Sequence, residues 1–89
     1  MKKYQVEFSN TAKKELKKLD ISVQKTLLKW INKNLMDCDN PYIHGKVLVG
    51  NLKGYWRYRV GNYRLICNVE DDVLVILIVE IGHRSEIYK

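Results

Sequence analysis

The chain has 89 residues, with 16 Lys and Arg against 10 Asp and Glu, a formal net charge of +6 and an isoelectric point near 9.4. That length predicts one domain, 1–89, with a modest core, and no apolar run is long enough to be a membrane-spanning helix. The basic balance favours nucleic acid or an acidic protein partner over a neutral small molecule.

Residues 3–8 read as a first strand, with Tyr4, Val6 and Phe8 alternating against Lys3, Gln5 and Glu7. The start, Met-Lys-Lys-Tyr-Gln-Val-Glu, lacks the apolar core of a signal peptide. Cys38 and Cys67 form no metal-ligand spacing. Two unpaired thiols without an export signal predict a reducing, cytoplasmic setting. Ser9 is placed to cap a helix over residues 10–19, whose apolar positions Ala12, Leu16 and Leu19 share one face. Lys13, Lys14, Lys17 and Lys18 cover the remainder, either as a solvated face or as a second contact to phosphate. Asp20 and Ser22 can cap a second helix over 22–36, with a stripe of Val23, Leu27, Leu28, Trp30, Ile31 and Leu35. The tight junction predicts a helical hairpin.

Residues 37–46 read as a loop, punctuated by Asn40-Pro41 and Gly45, in which His44 is an exposed histidine. A glycine-punctuated approach follows, then Tyr55-Trp56-Arg57-Tyr58-Arg59-Val60-Gly61-Asn62-Tyr63-Arg64-Leu65-Ile66-Cys67. Gly61-Asn62 predicts a type II′ hairpin turn, because glycine comes first. Val60 then pairs with Tyr63, and Arg59 with Arg64. Arg57, Arg59 and Arg64 share one face; Trp56, Tyr58, Val60, Tyr63, Leu65 and Cys67 share the other. Like charges directly opposite are destabilising, so three gathered arginines point to an anionic ligand. Glu70-Asp71-Asp72 is an acidic turn, and residues 73–81 are an almost wholly apolar strand covered on both sides. If Asp71-Asp72 is a two-residue turn, Arg64 lies opposite Val79, His83 faces the arginines and Glu80 faces the helices. One more loop residue reverses both. The order is strand, two helices, three strands: an α+β fold in which the helical hairpin covers one face of a small antiparallel sheet and the arginines occupy the other.

At Leu52-Lys53-Gly54-Tyr55-Trp56-Arg57-Tyr58-Arg59-Val60-Gly61-Asn62-Tyr63-Arg64-Leu65 and at Ile81-Gly82-His83-Arg84-Ser85-Glu86-Ile87-Tyr88 the sequence resembles the RelE-like branch of the RelE/ParE superfamily of bacterial and archaeal toxins. The resemblance covers nearly the whole chain. It implies a toxin of a type II toxin–antitoxin pair that cuts messenger RNA in the A site of the 70S ribosome, is blocked by a cognate antitoxin, and needs no metal or organic cofactor. By position it makes Arg57 and Arg59 basic residues of the active-site strand, and Arg64 the ligand of the scissile phosphate. Arg84 matches the residue that assists the leaving group, and Tyr88 the tyrosine that stacks on a base. His83 matches a general acid or base of related branches. Lys46 and Lys53 add RNA contacts. Lys46 stands where some branches carry a glutamate base, and Arg59 where others carry a lysine, which leaves the base open.

Cleavage by the 2′-hydroxyl needs a proton acceptor, charge around phosphorus and a proton for the departing oxygen. Arginine forks suit the second need and serve the first poorly, being always protonated. His83 is therefore the candidate for proton transfer. Two rivals remain: a ParE-like toxin directed at DNA gyrase, and a non-catalytic RNA-binding relic.

Overall fold

In the computed structural model the described residues are 3–48 and 54–83. Strand β1 (Gln5–Phe8) leads into helix α1 (Asn10–Lys17) and helix α2 (Ile21–Asn34). A 3₁₀ turn (Pro41–His44) precedes β2 (Gly45–Val47), β3 (Trp56–Val60), β4 (Tyr63–Glu70) and β5 (Val75–His83). The five strands form one sheet in the order β1-β5-β4-β3-β2. The α+β class is as expected, but the sheet is mixed, because β1 joins it as the parallel neighbour of β5. The predicted loop over 37–46 also yields a strand: β2 pairs antiparallel with β3, setting Lys46 opposite Arg57.

The local signals explain most of the elements. Ser9 caps α1, its Oγ accepting from the Ala12 N–H at 3.0 Å. Asp20 holds the N-cap position of α2 without a side-chain bond, and Ser22 falls inside the first turn. The stripe of α2 centres on Leu27, Ile31 and Leu35, one residue per helical turn and all buried, with Val23 and Trp30 partly buried against the core, while Leu28 is exposed. These side chains and Ala12 pack with Tyr58, Leu65, Cys67, Ile76, Ile78 and Ile81 to form the core. The helices thus cover one face of the sheet. The hairpin register is as expected, with Val60 opposite Tyr63 and Arg59 opposite Arg64. Gly61 has φ +61°, as the first position of a II′ turn requires.

Strand β5 departs from expectation. The turn before it holds four residues, Asp71 to Leu74, so Glu70 pairs with Val75. Two extra loop residues preserve parity. A bulge then breaks it: Cys67 faces Ile78, yet Ile66 faces Glu80, leaving Val79 as the extra residue. Beyond the bulge every side chain is on the face opposite to the predicted one. The bulge lets Ile78 and Ile81 both enter the core, and α1 holds it from two sides. Ser9 Oγ donates to the Val79 carbonyl at 3.0 Å, and Glu15 Oε1 accepts from the Ile81 N–H at 2.9 Å.

Candidate functional site

On the face away from the helices the registers form two rows. Lys46, Arg57, Ile66 and Glu80 make one; Arg59, Arg64 and Gly82 make the next. Four cations from three strands therefore share one patch. Arg59 and Lys46 are exposed, Arg57 is half-buried and Arg64 is 6% exposed. Arg64 has glycine as its neighbour on β5, so no side chain on that strand competes for its space. Arg57 Nε is buried and has no hydrogen-bond partner among the described residues. Ile66, wholly buried, lies between Arg57 and Glu80 in its row; the long polar stems around it supply apolar cover.

Arg57, Arg59 and Arg64 are thus brought together as expected, and Lys46 joins them. His83 is not with them. It pairs with Tyr63 on the helix side, its ring in an edge contact with that tyrosine at 5.6 Å between centroids. It lines a cleft with Glu15, Lys18, Leu19 and Ile81. The expected register, with His83 among the arginines and Glu80 under the helices, is reversed by the Val79 bulge. Lys53, Arg84 and Tyr88 lie outside the described residues.

The aromatic face behaves as core. Tyr58 is wholly buried and donates to the Pro41 carbonyl at 2.6 Å, and burial holds its phenol well above the usual range. Cys67 is buried among apolar groups, which pushes its thiol up. Burial also raises Cys38, and both cysteines are free thiols. Such thiols are inert rather than nucleophilic.

One residue beside the patch is not marked by the sequence pattern. A cavity of about 270 Å³ opens at the β2 edge, lined by Ile43, His44, Gly45, Lys46, Arg57 and Arg59. His44 ends the 3₁₀ turn, and Gly45 begins the strand that carries Lys46. A Cβ at Gly45 would collide with the Arg57 carbonyl and the Trp56 indole, so glycine is what lets this segment approach β3. No spacing marks it, because the 3₁₀ turn interrupts the alternation before Lys46 and its partners Arg57 and Arg59 belong to another strand.

Comparison with known proteins places the chain among the toxins of type II toxin–antitoxin systems. The family described as the ParE toxin of the type II toxin–antitoxin system parDE matches residues 6–88, and the chain belongs to it. Within the RelE/ParE superfamily it falls in the RelE-like branch. It is 37% identical over 89 residues to an Escherichia coli protein described as a RelE-like toxin, covering 97% of this chain and 90% of that one. It is similar to the RelBE2 toxin–antitoxin complex of Mycobacterium tuberculosis, at TM-score 0.82 and 28% identity over 97% of each chain. It is also similar to the isolated Escherichia coli RelE toxin, at TM-score 0.72 and 28% identity over 96% of this chain and 90% of that one.

Proposed function

We propose that the protein is an endoribonuclease that cleaves messenger RNA in the ribosomal A site and is silenced by a cognate antitoxin. The observation that carries the reading is the gathering of Lys46, Arg57, Arg59 and Arg64 on one sheet face. Guanidinium forks match two phosphate oxygens at once. Held by strands, they need no reorganisation as charge builds at phosphorus. Attack of the 2′-oxygen then displaces the 5′-oxygen, leaving a 2′,3′-cyclic phosphate and a 5′-hydroxyl. Arg64, the most buried of the three arginines, is assigned to the scissile phosphate, and Arg57 and Arg59 to its neighbours. By family resemblance Arg84 assists the leaving oxygen, Tyr88 stacks on a base, and Lys53 contacts the backbone. The solved relative in complex with its antitoxin supports an antitoxin partner here.

A second reading has two observations in its favour. The matching family is described by its ParE toxins, and His83 is directed away from the arginines, so a gyrase-directed toxin is the alternative. Primer extension on cellular messages after induction separates the two. Cuts at codon positions that Arg64→Ala abolishes are the expected result. Intact messages with gyrase-linked DNA breaks would remove the nuclease reading.

A further inference from the structure

The reversed parity of β5 leaves the cationic patch without the imidazole expected of it, while the reaction still requires a group that can accept a proton. The chain has two histidines. One is with Tyr63 on the helix side; the other, His44, lines the same cavity as Lys46, Arg57 and Arg59. We propose that His44 is the proton acceptor for the 2′-hydroxyl, an inference that rests on the nuclease reading above.

The segment carrying His44 is held at several points. Asn40 caps the 3₁₀ turn, its side chain accepting from the Tyr42 N–H at 3.0 Å. Tyr58 binds the Pro41 carbonyl from beneath. The Tyr42 hydroxyl lies 2.7 and 2.8 Å from the two oxygens of Asp71, and its ring packs edge-on to Trp56 at 4.8 Å. The His44 ring itself meets the edge of Trp30 at 6.1 Å. Gly45, which follows His44, pairs with Tyr58 and opens β2. His44 is thus anchored along one side and exposed to solvent, and it lines the cavity together with residues whose guanidinium groups would grip a phosphodiester. The cavity, near the lower end of ordinary ligand sites at about 300 Å³, takes a phosphodiester with its ribose.

The step balances without a further reagent. Neutral His44 takes the 2′-hydroxyl proton as that oxygen bonds to phosphorus. The P–O5′ bond breaks with its electron pair on O5′, which takes a proton from water. His44 then returns its proton to solvent. Imidazole is suited to this because it changes protonation near neutral pH, unlike arginine or lysine.

The test is single-turnover cleavage of a message on programmed 70S ribosomes by the purified full chain. Binding is measured in parallel with the same message carrying a 2′-deoxy sugar at the cut. His44→Gln is expected to slow cleavage by roughly 100-fold or more while leaving affinity and melting temperature unchanged. Free imidazole is expected to restore part of the rate to His44→Gly. A His44→Gln enzyme that cuts at the wild-type rate overturns the assignment and leaves the nuclease reading standing. Loss of rate matched by loss of affinity, with no imidazole rescue, also overturns it, since His44 would then only bind. Wild-type protein that never cuts removes both.

Discussion

Arg59 and Arg64 face each other directly across β3 and β4, a juxtaposition of like charges that costs stability. A like-charge cross-strand pair is unfavourable by about 0.2–1 kcal/mol relative to a neutral one. Arg64 is nearly buried and Arg59 is exposed, so the exposed member can be neutralised without leaving a cavity. Arg59→Gln is therefore expected to raise the melting temperature by roughly 1–8 °C and, on the nuclease reading, to weaken RNA binding and cleavage. Thermal denaturation and a toxicity assay on the same variant check both halves. A variant that loses stability would mean that the arginine pair is held by something other than a ligand-facing role.

At the scale of elements, the bulge in β5 decides which side chains reach the patch, and α1 holds the bulge. Ser9 and Glu15 meet the Val79 carbonyl and the Ile81 N–H that the kinked ladder leaves over. Removing Glu15 orphans a part-buried N–H, at a cost of about 1–3 kcal/mol. Ser9→Ala removes the cap as well, at about 1–2 kcal/mol. Chemical denaturation is expected to show both losses. Hydrogen exchange should quicken at Ile81 in Glu15→Ala before it quickens in β3, and uniform loss of protection would deny α1 this local role. The same bulge marks where the sequence stopped being informative. The β3–β4 hairpin was legible because polar and apolar residues alternate and Gly61 names its turn. In Val75 to Ile81 nearly every residue is apolar, so a one-residue slip changes nothing in the pattern. The face of His83 and Glu80 was therefore undetermined. Strand β2 was hidden for a different reason: three residues beginning with Gly45 carry no periodic signal, and their pairing with β3 is a tertiary fact. In the sequence His44 is a lone loop histidine, because the arginines that share its cavity come from β3, well along the chain.

Across the whole molecule, one carboxylate joins three distant segments. Asp71, in the β4–β5 turn, accepts from the Tyr4 hydroxyl at 2.6 Å and from Tyr42. It thereby ties the start of β1 and the His44-bearing 3₁₀ turn to the far end of the central hairpin. The two phenols show the consequence. The hydrogen bond to Asp71, with burial, pushes Tyr4 up to about 12. Burial, then the same carboxylate, pushes Tyr42 up to about 12. In the unfolded chain a tyrosine loses its proton near pH 10. Between about pH 10 and 12 the unfolded state thus holds fewer protons than the folded one, and stability falls as pH rises through that window. Below pH 10 both states keep the proton and the full contribution is present. Lysines also titrate there, so the measurement is a difference: melting temperature from pH 8 to 12 for wild type, Tyr4→Phe and Tyr42→Phe. Each variant is expected to start lower at pH 8 and to lose less on the way to pH 12. On the nuclease reading Tyr42→Phe should also reduce cleavage at pH 8, because it loosens the turn that carries His44, whereas Tyr4→Phe should leave cleavage unchanged. Parallel pH curves for all three proteins would mean that the carboxylate does not hold these segments together.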